Sequence, residues 1–538
     1  MARPINFGLL FDRMAEQPVA SQFHLDRPFA IAPDRGILYS TAALADLVAQ
    51  TSGWIAAAGV RPGDRVAVIQ DNHFDILLTS AAAIRMGAVP AQIAAANGPD
   101  ALRALLARLQ PALVVTSTDV VSRILKAGSD LLAGVRTVVL DSPGTPVDRT
   151  EWPVGAIALD DVRGAAPAPV HSIEHDVPMM MTHTSGTTGV PKIVVQSART
   201  LVEASRLELL RLPFVVSKRK DTVLSSISFA HWRAVTWMVA QARFAPAKLV
   251  LVADNDPDRV GEVLRTHRPT SVEACPNVFQ RWRSLTDTHA EELSQVRLYI
   301  STFDMVHPPT VRAFLNASRR RLPLWVASWG QSECGPISSA IFTRRRLRRT
   351  GVPVTNDVGW TVPTVARVRI VDQETGQRRG IGRARQGLML ASTKGRCLDY
   401  LGENDRHDRK RNGMWFNTGD VGYRDWLGRI RLVDREVDVI PGMSALELES
   451  TLLDRLRHAT EVTVLGVPGR LPLPVLCLDR ELDAAEWADA VRDLPPLDQP
   501  VVLPWAELPR TATWKVRRHA LRASVLGTDE TYGTGRWT

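Results

Sequence analysis

The sequence predicts an α/β protein with a large N-terminal domain and a smaller C-terminal domain. The chain has 538 residues, 45% of them hydrophobic, which is too long for a single core and ample for two. Apolar segments with strand character alternate with helical segments from residue 65 onward. A dense run of glycine and hydroxyl residues follows the apolar segment at 177–180 and closes on a lysine. Together these features favour a globular enzyme that binds an anionic ligand.

The N-terminal region begins with a strand–helix–strand unit. A turn at 61–64 precedes a buried strand, and the following helix ends at Gly87. Further strands and helices continue the alternation, and residues 145–169 are rich in Pro, Gly and Ala, which predicts a connecting segment. The predicted elements are strand 65–69, helix 74–86, strand 88–93, helix 99–109, strand 112–116 and strand 137–140.

The glycine- and hydroxyl-rich run predicts a phosphate-binding loop. Gly186 and Gly189 allow backbone N–H groups to approach an anion, and Lys192 supplies a mobile positive charge. Only two residues separate the glycines, and Ile193 follows the lysine, so the spacing is not that of the Walker loop. A triphosphate is the expected ligand, and a surface turn that binds nothing is the alternative. The hydroxyl donors are Thr184, Ser185, Thr187 and Thr188.

Residues 184–192 resemble the signature loop of the adenylate-forming (ANL) superfamily. Its members include acyl-CoA synthetases, adenylation domains of peptide synthetases, luciferases and amide bond synthetases. The resemblance implies that a carboxylate is activated with ATP as an acyl-AMP, that pyrophosphate is released, and that a nucleophile then takes the acyl group. Asn72 and the Gly-Ala-Val segment at 87–89 also resemble the N-terminal subdomain of the superfamily.

A histidine near the middle of the chain is a candidate for the acyl pocket. Strand 193–196 is followed by helix 198–212, which Ser197 can cap. In the family, the segment that matches 225–233 carries an aromatic residue or histidine in a wall of this pocket. The resemblance therefore assigns His231 as a gate or a base, with Trp232 beside it. A histidine packed at the start of a helix is the alternative.

A second part of the pocket departs from the family pattern. Strands 249–252 and 270–274 flank helix 257–266, and a further strand near 298 runs into a loop. Many relatives have Gly-Gly-Ala or Gly-Gly-Glu there, whereas this chain has Thr302, Phe303 and Asp304. The bulkier side chains imply a narrower pocket and resemble the amide bond synthetase branch more than the fatty acyl-CoA ligases. Asp304 is a second candidate base.

Two further segments resemble the nucleotide-binding motifs of the superfamily. In 325–333, the resemblance implies that Trp329 stacks on adenine, Gly330 allows close approach, and Glu333 holds Mg²⁺. The resemblance also assigns Gln331 and Ser332 to this nucleotide site, with Ser332 as a residue that can bond the α-phosphate. In 415–435, Asp420 and Arg435 occupy the places of the residues that bind the ribose. A strand-end turn and a common Thr-Gly-Asp turn are the respective alternatives.

The remaining residues predict a small mobile α/β lid and a flexible tail. We place the N-terminal domain at 1–434, the lid at 435–523 and the tail at 524–538, with lid strands near 462–466 and 474–478 and a helix near 484–492. Residues 508–518 resemble the closing motif of the family, except that Trp514 replaces the usual glycine. Lys515 is then the residue that bridges the substrate carboxylate and the α-phosphate, and so the principal catalytic residue.

Composition narrows the choice of partners and compartment. The formal charge is +9, with basic clusters at 344–349 and 218–220. Neither cluster has interleaved aromatic residues or a known nucleic-acid recognition motif. We interpret both as solvated faces and expect no nucleic-acid partner. The N-terminus lacks an apolar signal core, and the four cysteines are scattered, so the sequence favours a soluble cytoplasmic protein without membrane segments, zinc or disulfides.

The predicted function is an ATP- and Mg²⁺-dependent ligase that joins an aromatic or other compact carboxylic acid to a small amine. The segment from Val439 reaches the helix start near Glu447 several residues early, and Val437 replaces the usual polar pivot. In the family both features belong to the reaction with CoA. A CoA ligase is the main alternative; a carrier-loading module and a silent nucleotide-binding relative are others. The oligomeric state stays open.

Overall fold

The structure is a computed structural model, and it describes residues 5–127, 130–141, 152–184, 191–210, 214–347 and 356–533. The described chain forms two compact units. The first contains the residues up to 256 together with 394–407, and the second contains 257–393 and the residues from 408 onward. Each unit mixes helices with β-sheet, as the sequence predicts.

The α-helices are numbered in chain order. They are α1 (Leu10–Ala15), α2 (Thr41–Ala57), α3 (Asp75–Arg85), α4 (Pro99–Leu109), α5 (Thr118–Lys126), α6 (Ala198–Leu209), α7 (Trp232–Phe244), α8 (Pro257–His267), α9 (Pro276–Arg281), α10 (Leu285–Thr288), α11 (Ala290–Leu293), α12 (Pro308–Ala317), α13 (Arg344–Leu347), α14 (Asn404–Arg409), α15 (Ala445–Arg455), α16 (Ala484–Val491) and α17 (Arg518–Leu526). Short 3₁₀ turns occupy Phe7–Leu9, Pro33–Arg35, Leu159–Asp161, Trp282–Ser284, Arg383–Arg385, Glu436–Asp438 and Trp505–Glu507.

The strands are numbered in the same way. They are β1 (Gln22–Leu25), β2 (Leu38–Ser40), β3 (Arg65–Gln70), β4 (Val89–Ala94), β5 (Leu113–Ser117), β6 (Thr137–Leu140), β7 (Ala156–Ala158), β8 (Pro178–His183), β9 (Ile193–Ser197), β10 (Thr222–Ser226), β11 (Lys248–Leu251), β12 (Ser271–Ala274), β13 (Leu298–Ser301), β14 (Leu324–Gln331), β15 (Gly335–Phe342), β16 (Asp357–Thr361), β17 (Ala366–Val371), β18 (Gly387–Thr393), β19 (Asp399–Tyr400), β20 (Arg411–Asn412), β21 (Trp415–Arg424), β22 (Ile430–Arg435), β23 (Ala459–Leu465), β24 (Leu473–Leu478) and β25 (Val501–Val502).

An eight-stranded sheet carries the predicted phosphate loop in the first unit. Its strand order is β19-β9-β8-β4-β3-β5-β6-β7, and β4 pairs in parallel with both β3 and β8. The predicted strand–helix–strand unit is confirmed as β3, α3 and β4. Every residue of α3 up to Ile84 is buried, including the polar Asp75, Thr79 and Ser80, so the helix has no face left for solvent. The same unit holds the parallel strands β10, β11 and β1, edged by β2.

The second unit joins a parallel edge to an antiparallel sheet. Strands β12, β13 and β14 run parallel, and β14 then pairs in antiparallel fashion with β15. The sheet continues through β16, β22, β21 and β18 to β17. In this register Asp420 of β21 lies directly opposite Arg435 of β22, so two residues that are far apart in the motif are neighbours across the ladder.

The C-terminal part of the second unit has its own small core. Strands β23, β24 and β25 form a sheet that α15 covers with Leu448, Leu452 and Leu453. On its other side, Leu521 of α17 packs against Leu473 and Val475. This is the predicted lid segment, with strands slightly longer than expected. The division into domains at residue 434 stays a prediction.

Two interpretations of the sequence need correction. Residues 156–158, inside the predicted connecting segment, form the edge strand β7, which is too short to show a periodic pattern. Residues 348 and 349 of the basic cluster at 344–349 lie outside the described residues, and the part at 344–347 is not simply a solvated face. Arg344 donates to the carbonyls of Leu315 (2.9 Å) and Arg320 (3.0 Å), where α12 ends, and Arg346 forms an ion pair with Asp357.

Two other interpretations of the sequence, at Ser197 and at residues 218–220, are confirmed. Ser197 caps α6, since its Oγ accepts from the Thr200 N–H at 3.2 Å. The cluster at 218–220 is exposed. In the described ranges, no helix is both long and apolar enough to cross a bilayer.

Candidate active site

The phosphate loop is described only at its two ends, in the first unit. Ser185, Gly186, Thr187, Thr188 and Gly189 lie outside the described residues. The Thr184 N–H donates to the Lys192 carbonyl (3.0 Å), and the Lys192 N–H donates to Thr184 Oγ1 (3.1 Å). These bonds close the base of a hairpin between β8 and β9. Lys192 is 8% exposed, and its Nζ lies 5.4 Å from the centre of the Tyr400 ring.

A buried histidine that the sequence analysis missed fixes the start of this loop. His183 Nε2 accepts from the Ala94 N–H (3.1 Å), which leaves Nδ1 as the donor to the Thr184 carbonyl (2.7 Å). Burial lowers the pKa of His183, and the bond to Thr184 offsets only part of this effect. The neutral imidazole therefore ties the loop to β4. Its only signal in the sequence is its place at the end of a buried strand.

His231 and Trp232 also belong to the first unit. His231 is the N-cap of α7, and its Nδ1 accepts from the Arg233 N–H at 3.0 Å. Asn72 holds the preceding segment, because its side chain bonds the Ile227 carbonyl (3.0 Å) and the Phe229 N–H (2.8 Å). With Nδ1 occupied, a neutral His231 presents Nε2–H as a donor. This is the geometry of a histidine at a helix start, and the catalytic assignment of His231 stays a prediction.

Trp232 is buried rather than open to solvent. Its side chain is 2% exposed, and within the described residues its indole N–H has no hydrogen-bond partner. Its assignment to the substrate pocket therefore stays a prediction.

The predicted nucleotide residues of the second unit converge on one carboxylate. Asp420 is 3% exposed, and its Oδ1 lies 3.0 Å from Arg435 Nε. Its Oδ2 accepts from Trp329 Nε1 (3.0 Å) and from Gln331 Nε2 (3.0 Å), and Gln331 also donates to the Thr418 carbonyl (2.7 Å). Motifs that are about ninety residues apart in the chain therefore share a single hydrogen-bonded centre.

The local backbone explains why Gly330 follows Trp329. The β14–β15 register shifts between these two residues, and a Cβ atom at position 330 would lie 2.4 Å from the Gly335 carbonyl oxygen. Only glycine fits this approach. The tight turn that follows, closed by the Cys334 N–H on the Gln331 carbonyl (3.1 Å), carries Ser332 and Glu333. Both residues are buried, at 5% and 6% exposure.

Arg435 connects these residues electrostatically. Burial alone would lower the pKa of Arg435, but four carboxylates outweigh this effect and raise it. In order of influence they belong to Asp420, Asp438, Glu333 and Asp304. Arg435 is therefore a permanent cation among the predicted ribose, metal and base residues.

The loop after β13 carries the departure from the family pattern. Phe303 has φ of +84°, the left-handed region that glycine favours, so the loop keeps a glycine-like backbone with an aromatic side chain. Asp304 is exposed, and its Oδ1 accepts from the Met305 N–H at 2.9 Å. In the described residues, the buried hydroxyl of Thr302 has no hydrogen-bond partner. The predicted pocket residues are thus placed on a constrained loop.

Lys515 lies on a short loop whose two ends pair with each other through backbone hydrogen bonds. Arg510 and Val516 form an antiparallel bridge, and the Thr511 N–H donates to the Lys515 carbonyl at 2.9 Å. Trp514, at the glycine position of the motif, has φ of +63°. The Lys515 side chain is half-buried on this loop.

The carboxylate of Glu333 is compatible with the predicted magnesium. Mg²⁺ keeps several waters and is commonly bound through one or two carboxylates plus substrate phosphates. No group of three His, Cys, Asp or Glu side chains suited to a metal occurs in the ranges that the structure describes. Glu333 therefore fits as one ligand of a nucleotide-bound ion, and this assignment stays a prediction.

Comparisons with known proteins show the family of the chain. The AMP-binding enzyme family matches residues 17–400. A 3-amino-2-hydroxy-4-methoxybenzoate diazotase from Streptomyces cremeus is 34% identical over 541 residues, covering 97% of this chain and 95% of the relative. An indoleacetate–CoA ligase from Aromatoleum aromaticum is 26% identical over 515 residues, covering 92% and 94%.

Among solved structures, an amide bond synthetase from Marinactinospora thermotolerans has a TM-score of 0.73 at 19% identity, covering 97% of this chain and 99% of the other. At that identity the likeness concerns the fold alone.

Proposed function

Because the chain belongs to the AMP-binding enzyme family, we propose that it activates a compact carboxylic acid with ATP and transfers the acyl group to an amine. Activation of an acid as an acyl-adenylate, with release of pyrophosphate, is the reaction of this superfamily. Bound ATP with Mg²⁺ supplies the electrophilic phosphorus and the leaving group. The acceptor and the acid are the parts of this proposal that go beyond the family.

Asp420 and Arg435 are the proposed ribose site. A carboxylate suits a vicinal diol, since its two oxygens accept two O–H donors. Arg435 and the N–H groups of Trp329 and Gln331 hold this carboxylate in place. Glu333 holds the metal, and Lys515 places one cation between two anions that otherwise repel each other.

The observation that carries the amine proposal is the short path from Asp438 to α15. Ile440 and Met443 bridge across a tight turn, with Gly442 at φ of +78°. Ser444 then caps α15, and its Oγ also donates to the Val433 carbonyl at 3.0 Å. The segment is therefore tied at its end and leaves little chain for a pantetheine tunnel. An adenylate is a reactive mixed anhydride, so a neutral amine can attack it directly, with His231 or Asp304 as the proposed base.

The relative from Streptomyces cremeus favours a second candidate with the same acceptor. As its name says, that enzyme is a diazotase. In this chain the corresponding anion would be nitrite. A nitrite oxygen would displace pyrophosphate from the α-phosphorus, and the amine nitrogen would attack the nitrite nitrogen, release AMP and lose a proton to give an N-nitrosamine. Return of a proton to the nitroso oxygen and loss of water would then give the diazonium group. The two candidates differ in the activated anion and share the amine.

One experiment separates these reactions. The enzyme, ATP and Mg²⁺ are incubated with a panel of aromatic and small amines and with either aromatic acids, ¹⁵N-nitrite, or acids plus CoA. The amide proposal expects product masses that equal acid plus amine less water. A diazo product that retains one ¹⁵N establishes the second candidate instead. Efficient acyl-CoA formation without amide or diazo product contradicts both and establishes a CoA ligase.

A further inference from the structure

A cluster of aromatic rings and arginines surrounds the loop that carries Lys515. The ring of Trp505 stacks on Trp514 with a centroid distance of 5.4 Å and an interplanar angle of 27°. The guanidinium of Arg510 lies 4.1 Å from the centre of the Trp505 ring, and that of Arg281 lies 4.5 Å from it. Cations over a tryptophan face are attracted by its ring electrons. We call Trp505, Trp514, Arg510 and Arg281 the tryptophan clasp.

Arg510 fixes the peptide that precedes Lys515. Its Nη1 donates to the Trp514 carbonyl (3.0 Å) and to Glu461 Oε2 (2.9 Å), and the Arg510 and Glu461 side chains are only 7% and 6% exposed. Glu461 Oε2 also accepts from Asn277 Nδ2 at 2.9 Å. Asn277 and Arg281 both belong to α9, so this helix contacts the Lys515 loop through two separate connections.

Trp514 belongs to this cluster although its backbone adopts a strained conformation. A side chain at φ of +63° is strained, and glycine would remove that strain. Stacking on Trp505 is the contact that only the larger residue can make. Tryptophan in place of glycine therefore introduces backbone strain but fixes the loop through the stack on Trp505. Both effects occur directly beside the proposed catalytic lysine.

We propose that the tryptophan clasp positions Lys515 for adenylation by holding its loop against α9. The inference rests on the proposed function for the role of Lys515, and it assigns a positioning role to Trp505, Trp514 and Arg281. These residues act through Lys515 and need not touch the substrate.

The first test measures loop order without any substrate. Trypsin cleavage of the native protein after Lys515 is followed by mass spectrometry in wild type, Trp505→Leu, Trp514→Gly and Arg281→Gln. Loss of the clasp raises the population of open loop, so we expect cleavage to accelerate by about tenfold in the variants. The control is Trp426→Leu, because Trp426 is 80% exposed and lies outside the clasp. Unchanged cleavage in all three clasp variants overturns the proposal.

The second test measures adenylation. Misplacement of Lys515 lowers kcat for pyrophosphate release by roughly tenfold to a hundredfold, while KM for ATP stays within about twofold. Trp505→Phe keeps an aromatic platform and is expected to restore most of the rate. Full activity of Trp505→Leu contradicts the proposal, as does a Trp505→Phe variant that is folded and no better than Trp505→Leu.

The two tests distinguish a failure of the proposed function from a failure of the clasp proposal. If wild type releases no pyrophosphate with any acid or with nitrite, the proposed function is wrong, and the cleavage rates still decide whether the clasp holds the loop.

Discussion

Asp420 is the residue on which the nucleotide site depends most directly. Its two oxygens hold Arg435, Trp329 and Gln331, so removal of the whole side chain would release three neighbours at once. Asp420→Asn keeps the shape and removes the charge. We expect it to weaken ATP binding by about 1.5 to 3 kcal/mol, the range for hydrogen bonds to charged groups.

Calorimetric titration with ATP and Mg²⁺ measures this loss. Asp372→Asn is the matched control, since Asp372 accepts hydrogen bonds in a surface turn and has no role in the site. Equal affinity of wild type and Asp420→Asn would rule out the ribose assignment.

Lys515 is the second residue with a sharp expectation. Lys515→Ala removes the cation that offsets the repulsion between the two reacting anions, so pyrophosphate release is expected to fall by on the order of a hundredfold or more. ATP affinity should change little, because Lys515 acts on the reaction rather than on the ribose. Coupled pyrophosphate detection provides the rate, and Lys220→Ala, at an exposed lysine, is the control. A near-normal rate in Lys515→Ala would remove the lysine from the mechanism.

At the scale of elements, the loop after β13 sets the shape of the proposed pocket. Phe303→Gly removes the ring and the backbone strain together, whereas Phe303→Ala removes the ring and keeps the strained φ. Both variants should accept acids with one more ring substituent, with kcat/KM for these acids higher by roughly tenfold. The glycine variant should also be more stable than the alanine variant by about 1 kcal/mol.

Substrate profiling and chemical denaturation measure the two effects independently. A profile that is unchanged in both variants would show that Phe303 does not line the pocket.

The same scale shows what the sequence could predict. Apolar runs and glycine boundaries located β3, α3 and β4 to within a residue or two, since burial and helix ends are local signals. The motifs also named Asp420 and Arg435 separately. Their pairing across β21 and β22 depends on strand register, which a single sequence does not encode locally.

The partners of these residues were harder still to predict. Gln331 was assigned to the nucleotide site only by its place in the motif, and its bond to Asp420 follows from the fold of β14. His183 was missed because one histidine at a strand end carries almost no information. The residue types were visible in the sequence, whereas the strand register of β21 and β22 and the tautomer of His183 depend on the folded structure.

At the scale of the whole molecule, buried charge predicts how stability depends on pH. Burial raises the pKa of Asp434 well above its ordinary value, and the carboxylates of Asp438 and Glu449 add to this rise while Arg518 opposes it. Burial likewise raises the pKa of Glu449 to about 7, although Arg518 donates to it at 2.6 Å. The folded state therefore binds more protons than the unfolded state between the ordinary and the raised pKa values.

This stability is fully present below the ordinary pKa values and is lost as pH rises through the raised ones. For Glu449 the window runs from 4.5 to about 7. Each such group can contribute at most about 1.4 kcal/mol per pH unit to the slope. Asp434→Asn cannot lose a proton, so its free energy of unfolding should exceed that of wild type by an amount that grows with pH. Urea denaturation at pH 5, 7 and 9 measures the difference, and a constant difference would contradict the assignment.

Positive φ angles have a consequence for attempts to make this protein withstand heat. In the described ranges, five residues other than glycine adopt them. Gln110, Ala245 and Arg268 simply end α4, α7 and α8, whereas Phe303 and Trp514 lie in the two loops proposed to shape the pocket and carry the lysine. Laboratory evolution that selects for melting temperature alone would favour glycine at position 303, but not at 514, where glycine would also remove the stack on Trp505 that holds the loop. The survivors of such a selection would gain robustness and lose selectivity, so screens need both readouts.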